Sequence, residues 1–228
     1  NIINDLLKII LKYLTLSQIN FFNKNSELIN LDEIIEYDQK LMIIIKEKLD
    51  NDTFNKCARY GKLENMKWLL KKNCPFNENV FSNAAKNGNL ENIKWLLKNN
   101  FPYDNFVFAY AAKNGNLENM KWLLKNNFPY DESTFLSAAR NGNLENMKWL
   151  LENNFPHDIY TFSSAAKNGN LYNMKWLFEN NFYYDKYTFT CAAKNGNLEN
   201  MKWLLENKFP YNNSVRKKLI KYGLLEKS

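Results

Sequence analysis

Nucleophilic, acid–base and metal chemistry depends on a few side-chain types, and these are scarce in this sequence. Its 228 residues include one histidine, His157, and three cysteines, Cys57, Cys74 and Cys191. Catalysis needs unlike polar groups that converge on one point, and a zinc site needs several closely spaced nitrogen or sulfur ligands. These four residues are too scattered along the sequence to form such a set. We therefore predict that the protein is not an enzyme and uses no metal or cofactor.

The cysteines and the apolar segments also indicate a compartment. The cysteines are odd in number and none lies in a closely spaced pair, which is typical of reduced thiols in an intracellular protein. The longest apolar runs, such as 41–45, are far shorter than the roughly 20 residues that a membrane-spanning helix requires. We expect an intracellular, cytoplasmic protein that does not insert into a membrane.

Basic residues provide the clearest charge signal, with a formal net charge of +7. One set recurs at regular spacing and is called the basic row: Lys86, Lys113, Arg140, Lys167 and Lys194. Together with the cluster at 216–218, it allows binding of nucleic acid or another polyanion. Acidic residues interleaved along the chain interrupt any continuous phosphate track, so nucleic acid is the alternative to a protein partner. The row could also be a solvated edge with no partner.

The 27-residue spacing of the basic row governs most of the chain. All seven glycines, from Gly61 to Gly223, and all six tryptophans, from Trp68 to Trp203, follow the same spacing. A period of this length is typical of repeat proteins, in which each unit covers the apolar faces of its neighbours. The sequence therefore predicts an all-α solenoid of stacked helix-turn-helix repeats.

Residues 131–157 illustrate the first helix of a unit. Asp131 is suited to cap that helix, and Phe135, Ala138 and Ala139 form an apolar stripe along it. Gly142 then permits a tight turn with positive φ. A capping Asp or Asn stands at the position of Asp131 in the other units: Asp50, Asn77, Asp104, Asp158, Asp185 and Asn212.

The second helix follows directly after the glycine. Asn143 is suited to cap it, and Asn154 can end it in the left-handed conformation before Pro156 prevents its continuation. The pattern predicts that its buried stripe consists of Leu144, Met147, Leu150 and Leu151.

The period also divides the chain. Residues 51–223 hold six full 27-residue units and a partial C-terminal capping unit, and 224–228 form a tail. Residues 1–50 do not follow the period and are predicted to form an N-terminal helical segment. Tyr60 and Tyr222 replace the Asn that precedes glycine in the central units, as expected for terminal units that lack one neighbour.

The run Ala-Ala-Lys-Asn-Gly-Asn-Leu-Glu-Asn-Met-Lys-Trp-Leu-Leu at 111–124 resembles ankyrin repeats. It is most similar to the Asn-rich ankyrin proteins of giant amoeba-infecting viruses. This resemblance implies a monomeric, non-catalytic protein-binding scaffold, acting in the host cytoplasm if the chain is viral. Thr134-Phe135 stands where the family has Thr-Pro-Leu-His, and the usual period is 33. The shorter unit leaves little room for the projecting β-turn finger, so the first-helix face is the expected contact surface.

Some first-helix positions vary from unit to unit. They are spaced so that they share one face of the helix, which the resemblance places on the concave side of the stack. Aromatic residues among them are typical of protein interfaces. We predict that a protein partner contacts Asn79, Ser82, Phe106, Tyr110, Ser133, Leu136, Tyr160, Ser163, Tyr187 and Thr190. The other interpretation is that these positions are merely the least constrained.

The tryptophans occupy one fixed position in the second helices. Exposed aromatic rings at regular intervals can form a base-stacking platform for single-stranded nucleic acid. A residue that is identical in every unit more often packs against the scaffold itself. We therefore predict a structural role for Trp68, Trp95, Trp122, Trp149, Trp176 and Trp203.

Residues 4–17 resemble an F-box, the short helical motif that docks on the Skp adaptor of cullin-type ubiquitin ligases. Ile3 stands where that family has proline. The resemblance implies adaptor contacts by Leu6, Ile10, Leu14 and Leu16 and a role as a substrate adaptor. The alternative is that residues 1–50 are capping helices that shield the open end of the stack.

Overall fold

The computed structural model of the protein describes residues 50–61 and 63–226. This part of the chain forms thirteen α-helices and contains no strand. The helices are α1 (Asn51–Tyr60), α2 (Leu63–Lys71), α3 (Asn79–Asn87), α4 (Leu90–Lys98), α5 (Phe106–Asn114), α6 (Leu117–Lys125), α7 (Glu132–Asn141), α8 (Leu144–Glu152), α9 (Thr161–Asn168), α10 (Leu171–Glu179), α11 (Lys186–Asn195), α12 (Leu198–Glu206) and α13 (Asn213–Lys221). The predicted helical segment at 1–50 lies outside the described residues, except for Asp50.

Odd-numbered helices are the first helices of the repeats, and even-numbered helices are the second. Each first helix packs against the first helix of the next unit, from α1 through to α13, and against the second helix of its own unit. The buried apolar residues join into a single cluster that runs through the described units. The predicted all-α stack of helix pairs is confirmed.

In the unit at 131–157, the buried residues follow the predicted pattern in the first helix but not fully in the second. Phe135, Ala138 and Ala139 are fully buried, as are Met147 and Leu150. The prediction was wrong for Leu144 and Leu151, which are only half-buried, and it missed Asn146, which is fully buried. A buried carboxamide requires hydrogen-bond partners, and the neighbouring repeat supplies them in most units.

A buried asparagine in the second helix reaches the glycine turn of the preceding repeat. The Nδ2 atoms of Asn119, Asn173 and Asn200 donate to the carbonyls of Gly88, Gly142 and Gly169 at 2.8, 2.7 and 2.7 Å. In the unit of Asn146, the helix cap Asn143 takes over and donates to Gly115 O at 3.4 Å. Each bond joins two neighbouring units, so these amides hold the stack together.

A second set, the cross-repeat asparagines, lies immediately before the glycines: Asn87, Asn114, Asn141, Asn168 and Asn195. Each donates its Nδ2 to the end of the first helix one unit back, as Asn141 does to Lys113 O at 3.0 Å. A Cβ atom on Gly142 would lie 2.5 Å from Oδ1 of Asn168. The glycine therefore provides both positive φ, +89° at Gly142, and space for the next unit.

The linkers between units also pack on one another. A ring in each linker stacks on the buried Phe that precedes the next linker, with centroids 4.0–4.4 Å apart. His157 takes part, 4.3 Å from the ring of Phe182. The imidazole of His157 therefore takes the place that the tyrosine rings of Tyr103 and Tyr130 occupy in other linkers.

Capping residues act as predicted, although some helices begin later than expected. Asp131 and Asp185 are N-caps, and a side-chain hydrogen bond from Thr53 lowers the pKa of the N-cap Asp50. In α3, α5 and α9 the helix proper begins one or two residues later, after Glu78, Asn105 and Tyr160. The expected residues Asn77, Asp104 and Asp158 still accept the backbone N–H two residues on.

The glycine turns allow a matched test of the cross-repeat contact. Gly142→Ala and Gly196→Ala both place a side chain at φ near +90°, which costs about 1–2 kcal/mol. Only the first displaces an asparagine, because nothing lies within 4 Å of a Cβ at Gly196. We expect Gly142→Ala to lower the free energy of unfolding in urea by about 1–3 kcal/mol more.

The control is Asn168→Ala, in which the clash is absent. In the Asn168→Ala background, Gly142→Ala should lower the free energy of unfolding no more than Gly196→Ala does. If Gly142→Ala and Gly196→Ala lower the free energy of unfolding equally in the natural sequence, the cross-repeat asparagine does not constrain the turn.

Candidate protein-interaction surface

The varied positions at the start of the first helices carry exposed aromatic residues. Phe106 is 51% exposed, Tyr160 54% and Tyr187 48%. They occupy equivalent positions in α5, at the start of α9 and in α11. Asn79 and Ser133, at the same position in α3 and α7, are exposed and half-buried. The structure thus brings these five predicted residues into one row along the first-helix face.

The predicted positions three residues further on face the neighbouring first helix. Ser82 and Ser163 are buried, and their hydroxyls donate to Asp104 Oδ1 at 3.0 Å and to Tyr160 O at 2.9 Å. A partner on this face would not touch their side chains directly. Leu136 and Thr190 are half-buried at the same position and remain accessible.

Tyr110 connects the varied positions with the basic row. Its ring is half-buried, and Lys86 Nζ of the preceding unit lies 5.9 Å from the ring centroid. A cation at this distance is attracted to the face of the ring, by about 0.5–1 kcal/mol at an exposed site. Aromatic and cationic side chains therefore adjoin on the first-helix face.

The basic row is longer in the structure than the sequence analysis assigned. Arg59 and Lys221 take the same place in the last turns of α1 and α13, which gives seven cations, one in each unit. The 27-residue period was the signal that could have identified both. Cations in this position also interact favourably with the carbonyl ends of their helices.

The tryptophans pack against their own repeats. Trp122 lies 5.9 Å from Phe128, and Trp149 lies 5.5 Å from Phe155, measured between ring centroids. All six are half-buried against the core. These contacts support the structural role and leave no open row of indole faces for stacking bases.

The cysteine thiols are poor nucleophiles. All three cysteines are buried. Burial raises the pKa of Cys74 to about 12 and raises that of Cys191 as well, and the adjacent Cys191 raises the pKa of Tyr187. A thiol with a raised pKa is protonated at neutral pH and reacts slowly. Over 50–61 and 63–226, no three His, Cys, Asp or Glu side chains lie close enough together to hold a metal ion.

Thiol accessibility tests the placement of Cys191 within the first-helix face. All three thiols should react slowly with DTNB in the native protein at pH 8, because all are buried and a raised pKa keeps Cys74 and Cys191 largely protonated. In guanidinium chloride, three equivalents should react within the mixing time. One rapidly reacting thiol in the native protein would show that a cysteine is exposed at the surface.

None of the helices in the described part of the chain is long and apolar enough to cross a membrane.

Comparison with known proteins agrees with this architecture. A family model described as "Ankyrin repeats (3 copies)" matches residues 54–134, 81–163 and 135–217. The crystal structure of the human ASB11 ankyrin repeat domain superposes with a TM-score of 0.53 at 18% sequence identity. The match covers 74% of this chain and 96% of that one. No curated protein matches the sequence significantly. Because the family model matches most of the sequence, the chain belongs to the ankyrin-repeat family.

Proposed function

We propose that the protein is a scaffold that binds a protein partner on its first-helix face, with Phe106, Tyr110, Tyr160 and Tyr187 as anchors. Ankyrin repeats generally mediate protein–protein interactions and are typically non-catalytic. The observation that carries the proposal is the row of half-exposed aromatic rings at equivalent positions of separate repeats. Asn79, Ser133, Leu136 and Thr190 complete the surface.

The aromatic residues of the linkers differ from those of the first-helix face in one respect. Tyr103 and Tyr130 are also exposed, but each stacks on a buried phenylalanine of the next unit. Phe106, Tyr160 and Tyr187 make no ring–ring contact with any residue the structure describes. Exposed aromatic rings that stack on no other ring are costly in water and are enriched at protein interfaces.

A triple variant tests the surface against a matched control. Phe106→Ala with Tyr160→Ala and Tyr187→Ala should weaken partner binding at least about 30-fold, as expected for loss of interface anchors. The partner is first isolated by affinity purification from the native cellular context and identified by mass spectrometry. Its affinity for each purified variant is then measured by biolayer interferometry.

The control is Tyr172→Ala in α10, because Tyr172 is 78% exposed but lies on a second helix. This variant should bind as the unsubstituted protein does, and all variants should keep the same thermal unfolding midpoint. If the triple variant retains full affinity for every purified partner, the first-helix face is not the binding surface.

A second candidate function is that of substrate adaptor for a cullin-type ubiquitin ligase. It rests on the resemblance of residues 4–17 to an F-box, with Leu6, Ile10, Leu14 and Leu16 toward the Skp adaptor. In this scheme the repeats select the substrate. A location in the cytoplasm, of the host if the chain is viral, is part of the same proposal, and the odd number of cysteines supports it.

The adaptor role and the capping role of residues 1–50 predict different results for one variant. Leu6→Asp with Ile10→Asp should abolish capture of the purified Skp adaptor and leave the urea unfolding midpoint of the repeats unchanged. If the substitutions instead lower that midpoint and adaptor capture does not change, residues 1–50 act as a structural cap.

A further inference from the structure

The cations of the basic row form no salt bridge with any residue that the structure describes. Salt bridges between described residues join Lys56 with Asp52 and two second-helix lysines with glutamates one turn away. None involves a member of the basic row, although every member is exposed or half-buried at the surface. Seven cations in one line, none with a carboxylate partner among the described residues, are a site for a partner with a complementary line of negative charge.

From these observations, together with the proposed function on which this inference rests, we propose that the basic row binds an acidic segment of the protein partner in extended conformation. That segment carries an acidic side chain at about every third residue. It runs along the stack, across the C-terminal ends of the first helices.

The spacing of the row favours this partner. Packed helices lie about 8–10 Å apart, so successive units present one cation at that interval. A chain in the polyproline II conformation rises 3.1 Å per residue, so that every third side chain recurs after about 9 Å on the same side. One carboxylate can therefore meet one cation in each unit without bending of the segment.

The surroundings of the row favour an extended segment over an amphipathic helix. A docking helix needs an apolar groove in which to bury its apolar stripe. The cross-repeat asparagines lie immediately next to the basic row, and their side chains form a polar border along it. Tyr110 adjoins the row at Lys86, whose Nζ lies 5.9 Å from the ring centroid, and aromatic side chains are the usual neighbours of extended proline-rich segments.

The acidic residues of the first helices lie at the opposite end of those helices. Asp131 and Asp185 cap N-termini, and a helix of nine residues is about 13 Å long. Negative charge on the partner is therefore attracted to the basic row and repelled from the capping end. This asymmetry places the acidic segment over the C-terminal turns.

A synthetic peptide tests the inference directly. The probe is fluorescein-labelled (Glu-Pro-Pro)7, measured by fluorescence anisotropy with the full chain at low ionic strength. Lys113→Gln with Arg140→Gln and Lys167→Gln should raise its Kd at least about tenfold, since each exposed ion pair changes Kd by up to about fivefold. A peptide with seven consecutive glutamates followed by fourteen prolines should bind more weakly than the probe.

The chain contains its own matched control. Lys121, Lys148 and Lys175 belong to the same three units and recur with the same period, but lie on the second helices. Replacing these three with glutamine removes equal charge and should change the Kd less than twofold. Equal weakening by both triple variants, or equal affinity for the clustered peptide, would overturn the inference.

Two further ligands separate this inference from its alternatives. They are a helical peptide with glutamate at every seventh residue and a single-stranded RNA of twenty nucleotides. The inference would be overturned if either ligand bound more tightly than the probe and lost affinity when the same three cations of the basic row were replaced. The proposed function is judged separately, from the loss of partner binding in the Phe106, Tyr160 and Tyr187 variant. Failure of the acidic peptide alone leaves that result intact.

Discussion

The stack depends on hydrogen bonds that each repeat donates to the end of the preceding first helix. The last carbonyls of a helix have no partner within it, and burying them unpaired is costly. Here a cross-repeat asparagine meets these carbonyls, as Asn87 does at Arg59 O, 3.1 Å away. A buried asparagine in the second helix meets the glycine carbonyl, as Asn173 does at Gly142 O. This requirement explains why the five glycines from Gly61 to Gly169 have no room for a side chain and why asparagine is so frequent in the repeats.

The period was sufficient to predict the helix pairs, the left-handed glycine turns and the division into units, because each depends on local geometry. The partners of the asparagines were not predictable in the same way. Asn173 lies between Tyr172 and Met174 in the sequence, and only its hydrogen bond to the Gly142 carbonyl of the adjoining unit explains its burial. The position of the capping residues was predicted correctly, but not whether α5 begins directly after Asp104 or one residue later.

For the candidate surface, too, the sequence pattern predicts only part of what the structure shows. A helical pattern identifies which residues share a face, and it placed Phe106, Tyr160 and Tyr187 in one exposed row. It could not show that the neighbouring first helix covers Ser82 and Ser163, because one helix face is bordered by two other helices. The 27-residue period, in contrast, does contain the signal for Arg59 and Lys221, because both lie at the same spacing as the rest of the basic row. Within the repeats, the polar side chains that recur from unit to unit serve mainly the scaffold. The exposed aromatic and cationic side chains of the first-helix face are available for recognition.

The contacts between units link each repeat only to its immediate neighbour, and they end where the stack ends. Tyr222 stands in place of a cross-repeat asparagine, nothing approaches Gly196, and Lys218 Nζ donates to Ala193 O at 2.9 Å instead. A duplicated segment of 27 residues inserted among the central units would therefore arrive with every donor and acceptor that its neighbours need. Evolution can lengthen such a protein by copying one segment of coding sequence, and each copy would add one cation to the basic row.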